Sequence, residues 1–389
     1  MNTQGLTHLS MVKKLITLEN KTKRRLAMGG GARKKVVAVV GGMLLALTGF
    51  TGVGHADKPS VSGAVSAYTI YTSSTSAKKT NYDVASALVT VSEKSIASLP
   101  VGYTITAGAY AMPVVAFDFS STADITKVLT PLPIAYLEYA SPSIPVTIDV
   151  GRLPTLIGYE SAFTYQNDYV DRGLVWNMQP ILHDGVRVTY SGIKNITIKF
   201  GINDGYYSLS ADTINGKRVI SPAVEGSISG SLLKDVSLSF NFLIPSKSAR
   251  PNETAAPANK QEYNLTGSYS FGKLTIGWDA LYVYAPKDTK AMVSKASSAY
   301  GLALHGEYKV DNKITLAGRV EYVNDDSSGV DLVGIGNGNS AFTVTISPCY
   351  TTGNYFVKGD LAYVKADKNF TSDNKDSLTR IAIEAGISF

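Results

Sequence analysis

The chain has 389 residues, with 35 Gly and 23 Tyr against 12 Phe, and only 17% of it is charged. Soluble globular chains average roughly 25% charged residues, and an excess of Tyr suits positions that are apolar at one end and wet at the other. The formal charge of +6 is concentrated at the start. Residues 1–56 hold nine Lys or Arg and one acid, Glu19, so the 37 bases and 31 acids of the whole chain fall to 28 and 30 beyond residue 56, about −2. A nucleic-acid-binding protein carries basic charge on the body of its fold, so that class is excluded. A single cysteine, Cys349, excludes a disulfide framework and a multi-cysteine metal cluster.

Arg33, Lys34 and Lys35 precede an uncharged run from Val36 to Phe50, and Gly54-His55-Ala56 then places small residues at −3 and −1 of a cleavage site. A basic region, a short apolar run and a small-residue exit predict a cleavable signal peptide over residues 1–56. Met28 is an alternative start that would give a leader of 29 residues. The apolar run falls short of the about 20 residues a spanning helix needs, which leaves an uncleaved anchor as the lesser reading. The exported body is then 57–389.

That body alternates with period two. Val61–Ala140 alternates least clearly, and the uncharged run Ser95–Phe117, interrupted by Pro100 and Pro113, reads as strands and not as a helix. Further on the pattern sharpens. Ile196, Ile198, Phe200 and Ile202 oppose Thr197, Lys199 and Asn203, and Val236, Leu238, Phe240 and Phe242 oppose Ser237, Ser239 and Asn241. Tyr263 to Phe271, Leu274 to Tyr284, Tyr300 to Tyr308, Ile314 to Tyr322 and Tyr355 to Tyr363 divide in the same way. At the C-terminus Ile381, Ile383, Ala385, Ile387 and Phe389 oppose Arg380, Ala382, Glu384, Gly386 and Ser388. Short turns such as Phe271-Gly272-Lys273 alternate with long polar connections, Pro245–Gln261 and Asn324–Ser340. One plain rim and one elaborate rim predict an all-β, antiparallel, up-and-down transmembrane barrel of about 16 strands, with 14 to 18 compatible.

A soluble β-sandwich also alternates. Here, however, the apolar faces end repeatedly in Tyr, Trp or Phe, as interfacial girdles on a lipid-facing surface require. Arg187, Lys199, Glu225, Asp279, Glu307, Arg319, Glu321, Lys358, Asp360, Arg380 and Glu384 fall on the polar faces. A Lys or Arg facing lipid at midplane would cost about 2–4 kcal/mol, so these eleven are the candidate pore-lining residues. They either surround water or plug the lumen as mutual salt bridges; a barrel this wide defaults to a channel, because side chains fill only about eight strands.

Leu153–Gln179 is the longest stretch without alternation, and long loops in compact folds tend to be functional. It sets Glu160, Asp168 and Asp171 among Tyr165, Trp176 and other aromatics. The expectation is a constriction loop folded into the barrel, placing acids against the basic wall; an extracellular flap or an unread strand pair are the other readings. Catalytic groups are scarce. His183 and His305 are the histidines beyond residue 56, and two isolated histidines make neither a metal motif nor a hydrolytic centre. Gly334 to Asn339 is glycine-rich but has no following helix to complete a phosphate cradle. No cofactor is expected.

Two segments carry a family resemblance. Thr379 to Phe389 resembles the last strand of Gram-negative outer-membrane proteins, in which a terminal Phe belongs to the signal read by the barrel-assembly machinery. Asp149-Val-Gly-Arg-Leu-Pro-Thr-Leu-Ile-Gly-Tyr-Glu160, continuing through Asn167 and Pro180 to His183-Asp-Gly-Val-Arg187-Val-Thr-Tyr190, resembles the OmpL-like β-barrel porins. The resemblance implies a passive pore in the outer membrane of a Gram-negative bacterium, with Phe389 as assembly signal. The sequence thus predicts an outer-membrane porin that passes small hydrophilic solutes or ions, set in outer-membrane lipid, with a homo-oligomer compatible. The competing reading is a structural or adhesion barrel with a blocked lumen and partner-binding loops.

Overall fold

The computed structural model describes residues 59–389 apart from 97, 118–121, 206–212, 215–216, 219–221, 247–258, 289–292 and 327–328. The expected leader and most of the Pro245–Gln261 loop lie outside the described residues.

The first strands are β1 (Ser60–Thr72), β2 (Thr80–Glu93), β3 (Val101–Tyr110), β4 (Ile134–Ala140), β5 (Val146–Pro154), β6 (Leu182–Ile193) and β7 (Ile196–Asn203). A small hairpin, β8 (Thr213–Ile214) with β9 (Lys217–Arg218), stands apart from the barrel sheet. The wall resumes with β10 (Ala223–Leu233), β11 (Val236–Pro245), β12 (Gln261–Phe271), β13 (Leu274–Ala285) and β14 (Ser297–Lys309). It ends with β15 (Ile314–Asp325), β16 (Ser340–Thr352), β17 (Tyr355–Ala366) and β18 (Ser377–Ser388). Sixteen of these strands pair in chain order, all antiparallel, and β18 returns to β1 to close the barrel. Closure satisfies the backbone of both outer strands and leaves no edge in the lipid. Among the described residues no helix is long and apolar enough to cross a membrane; the crossing is made by strands.

One rim consists of tight turns. Ile193 pairs with Ile196, Leu233 with Val236, Phe271 with Leu274 and Thr352 with Tyr355, so each of these hairpins turns in two residues. Such turns need a left-handed residue to match the strand twist, supplied here by Asn195, Asp235, Gly272 and Gly353, with φ of 63°, 63°, 61° and 56°. The opposite rim carries the long connections.

Alternation then decides the faces. Ile381, Ile383, Leu361, Val320, Leu302 and Leu304 are exposed on the outer wall, while Arg380, Glu384, Asp360, Arg319 and Glu321 are buried inside. Outward Phe271, Tyr308, Tyr350 and Tyr355 stand near the turn rim, and Tyr282, Tyr300, Tyr322 and Tyr363 near the loop rim. These two girdles bracket an aliphatic band, the surface that a bilayer requires.

The interior departs from the expected all-polar face in one region. Inward Leu281, Val283, Ala299, Ala303, Val323, Val364 and Leu378 are buried in one cluster with loop residues Leu332, Val333 and Ile335. The loop-side half of β13–β18 therefore holds a conventional apolar core inside the barrel.

Candidate functional site

The connection between β5 and β6, residues 155–181, lies inside the barrel, where inward side chains of several strands hold its main chain or its side chains. Gly158 N–H donates to Asn264 Oδ1 on β12 at 3.0 Å, and Tyr159 N–H to Asp279 Oδ2 on β13 at 3.0 Å. Glu160 meets Arg319 on β15 at 2.6 Å and accepts the Gly173 N–H with its other oxygen. Asp360 on β17 accepts both Val170 and Asp171 N–H with one oxygen, at 2.8 and 2.7 Å. Lys358 Nζ donates to the carbonyls of Thr164, Asn167 and Tyr169. Glu384 on β18 accepts the Thr164 hydroxyl, and Ser86 on β2 bonds the same hydroxyl at 3.2 Å. Arg380 pairs with Asp171 at 3.1 Å and donates to the Val114 carbonyl.

The returning half of the loop is held differently. A short helix, α2 in a chain whose helix α1 is Thr122–Leu129, spans Leu174–Asn177. Val175 N–H donates to Glu321 Oε1 on β15. Leu174, Val175 and Met178 are fully buried in the apolar cluster of the inner wall, each contributing about 1.5–3 kcal/mol by the usual transfer arithmetic. Gly173 leaves room for the Glu321 carboxylate at the turn into α2, where a Cβ would stand 2.0 Å from Oε1 and force that carboxylate to shift. Gly277 on β13 likewise makes room for the Tyr159 ring, which would lie 2.4 Å from its Cβ. Tyr159 stacks on His305 at 4.5 Å, and Arg319 sits over the Tyr169 ring at 4.6 Å. Within the loop, Arg172 is wholly buried and donates to the carbonyls of Ser161, Ala162 and Val170.

Asp168 stands at the exposed tip. Partial burial, then Glu307 and Glu160, push its carboxyl above the ordinary carboxylate value, with Lys358 opposing. The Tyr169 hydroxyl is raised by burial and donates to the Gly318 carbonyl at 2.6 Å.

All eleven polar-face residues named from the sequence stand on the inner wall, in two different settings. Asp279, Arg319, Glu321, Lys358, Asp360, Arg380 and Glu384 hold the loop. Arg187 and Glu225 pair with each other at 2.7 Å on β6 and β10, away from the loop's anchors. Lys199 and Glu307 are half-buried. Of the loop residues, Glu160 and Asp171 meet arginines of the wall, Trp176 is buried beside Arg172 at 5.8 Å, and Tyr165 stacks at 6.2 Å on Phe163. Sequence reasoning missed Asn264, Gln179 and Arg172 as anchors, and Glu138 and Asp149 as inward acids. The last two were legible, since Leu137 and Tyr139 flank Glu138, and Ile148 and Val150 flank Asp149, in the same alternation. Phe389 is exposed on the outer wall, and its backbone pairs with Gly63 at the closure.

A closed sixteen-stranded barrel with a lipid-facing band, two girdles and a loop folded against its inner wall is the architecture of an outer-membrane porin. The chain belongs to the family described as "Putative beta-barrel porin-2, OmpL-like", whose model matches residues 58–389. It is an outer-membrane porin of the Gram-negative type. Solved structures share the fold at low identity. The anion-selective porin from Comamonas acidovorans aligns with a TM-score of 0.60 at 11% identity, over 85% of this chain and 99% of that one. The outer membrane channel DcaP of Acinetobacter baumannii gives 0.58 at 14%, over 85% and 97%. The trimer form of OmpT from Vibrio cholerae gives 0.56 at 14%, over 85% and 99%. No match is found among curated proteins.

Proposed function

We propose that the protein passes small hydrophilic solutes or ions by diffusion, through the part of the lumen that the inward loop leaves free, and that it performs no chemistry on them. One observation carries the reading. The loop is anchored on β12 through β18 and on β2, while inward Thr147, Asp149, Thr189, Lys199, Ser229 and Ser239 on β5 to β11 keep part of their surface open to solvent. A wall of hydroxyls and charges left wet on one side of a filled half is a passage. Insertion of the purified protein into planar bilayers tests it, with discrete conductance steps expected. The apolar packing on the loop side of β13–β18 favours the competing blocked barrel, and a membrane that stays silent in every salt would establish that reading instead.

The outer wall supports assembly with further copies. At about 3.3 Å per residue and a tilt near 45°, the 7 residues of β4 rise only about 16 Å, against an apolar band of about 25 Å. Beside it Arg152 and Asp184 form a bidentate pair on the outer face, at 2.7 and 3.0 Å. A cavity of about 490 Å³ lies there, lined by Leu132, Ala135, Val150 and Val186 among others. Low wall, ion pair and hollow are poor partners for lipid and good ones for protein. Sedimentation in detergent should find an oligomer; a monomer at all concentrations would refute it.

The assembly signal at Phe389 and the leader over 1–56 belong to the same proposal. Replacing Phe389 with Ser should lower the amount of heat-modifiable barrel in the membrane fraction, and unchanged levels would remove that role.

A further inference from the structure

We infer that the passage prefers cations to anions, an inference that rests on the open-channel reading above. The reason is an inequality between acids and bases in what each is bound to.

The inner wall is rich in both signs, but its bases are spent on structure. Arg319 is fully buried between Glu160 at 2.6 Å and Glu321 at 3.2 Å. Arg380 is held by Asp171, and Lys358 by Glu384 at 3.4 Å together with three loop carbonyls. Arg187, 5% exposed, donates from Nε to Glu225 and from Nη2 to the Pro154 carbonyl. None of these four presents a free cation to water.

The acids are distributed otherwise. Glu138 on β4 and Asp149 on β5 sit directly opposite each other in the strand register, both inward and both half-buried. Like charges so placed repel, and no base lies between them; on its other side Asp149 faces Arg187, which is committed to Glu225 at 2.7 Å. The Glu138 carboxylate accepts from Ser95, a neutral donor, at 2.5 Å. Asp149 Oδ1 is shut off from solvent and has no hydrogen-bond partner among the described residues, so Asp149 meets water through the rest of its surface. Across the lumen, Asp168 is exposed at the loop tip and Glu307 is half-buried near it. Against these four stand Lys199, half-buried, and Lys309, which lies 3.7 Å from Glu307 at the turn rim and is 64% exposed. Among the described residues, four acids that keep part of their surface open to solvent face two such lysines, within a few residues of the turn rim.

Rings of carboxylates select cations and rings of bases select anions. Across a passage narrower than the Debye length, about 8 Å at physiological salt, a net excess of fixed negative charge raises the local cation concentration. The effect must fade in molar salt, where the length falls to about 3 Å.

The test is the zero-current potential of the purified wild-type protein in a tenfold KCl gradient at neutral pH. Its sign should report K⁺ permeating several-fold better than Cl⁻ in dilute salt, with the ratio approaching that of free solution in molar salt. Glu138→Gln with Asp149→Asn should cut the ratio several-fold, and Asp168→Asn, at the exposed tip where folding is least at stake, should cut it by a smaller factor. Conductance with no preference, or with a preference for Cl⁻, overturns the inference and leaves the channel reading intact. Conductance in none of the salts overturns the channel reading and the inference with it. A K⁺ preference that survives both Asp168→Asn and a folded, heat-modifiable double variant unchanged also overturns it, because the selectivity would then have another source.

Discussion

The two halves of the lumen are built from the same alternating strands and use their inward residues for opposite ends. On β12 to β18 most inward charges are buried and committed, Glu307 and Lys309 near the turn rim being the exceptions. Arg319, Arg380 and Lys358 meet loop acids or carbonyls, and Asp279, Asp360 and Glu321 accept loop N–H groups. On β4 to β11 the inward charges are sparse: Glu138, Asp149 and Lys199 keep solvent contact beside hydroxyls such as Thr189, Ser229 and Ser239, while Arg187 and Glu225 are buried against each other. Charge in the first half is architecture, since it satisfies a loop backbone that would otherwise be stranded inside a barrel. Charge in the second half is available to the solute. Position on the inner face therefore does not by itself identify a residue that ions encounter.

Removing the loop from the first half should blur this division most. Deleting residues 161–171 takes away the segment that meets Lys358, Asp360 and Arg380, and should raise single-channel conductance several-fold and admit larger solutes. Unchanged conductance in the deletion variant would show that the loop is not the constriction. A smaller break comes from Arg319→Ala. Losing one partner of a buried ion pair costs about 3–5 kcal/mol, and here two carboxylates, Glu160 and Glu321, lose their base at once. Thermal unfolding in detergent should fall by several degrees and open-channel noise should rise. Arg319→Lys keeps the charge without the fork and should fall between the two; an Ala variant as stable as wild type would mean that the pair does not hold the loop. By contrast, Ser229→Ala on the open wall should leave both stability and noise unchanged.

How much of this was legible depends on what the residue answers to. The barrel, its girdles and its plain rim were legible because lipid imposes period two on every strand, and Ile381, Ile383 and Ile387 have no alternative face. Gly272 announced its turn by backbone preference alone, whereas Asn195 and Asp235, which take the same left-handed conformation, were not singled out. Leu153–Gln179 was legible as a segment, through its missing alternation, but its anchors were not. Asn264 and Gln179 look like any polar residue until the chain brings positions 106 and 100 apart to one hydrogen bond. Arg172 was invisible for a related reason: it bonds to carbonyls of its own loop, which no side-chain pattern reports. The apolar filling of the loop-side lumen did leave a trace. Leu281-Tyr282-Val283-Tyr284-Ala285 is apolar on both faces, which a strand between lipid and water cannot be; such a run reads as lipid on one side and protein on the other.

The smallest expected effect concerns pH and tests whether the open half acts alone. Asp168 is the wet carboxylate on the loop, and burial followed by Glu307 and Glu160 raises its pKa above the ordinary value of 3.8. A carboxyl so raised gains its proton at a higher pH than an ordinary one, so it loses its charge early as the solution is acidified. Cation preference should therefore begin to weaken above the range where an unperturbed aspartate titrates. The stability consequence has the opposite sense. A raised carboxyl pKa means that the folded state disfavours the charged form, so that cost is present above the folded pKa and is relieved as pH falls through it. Acidification through this range should thus reduce selectivity without loosening the loop, and single-channel conductance in molar salt, where charge is screened, should stay constant over the same pH steps. In Asp168→Asn the upper part of the pH dependence should weaken while the lower part persists. Should selectivity and molar-salt conductance instead change together, the proton would be acting on the anchored half, and the division of labour between the two walls would fail.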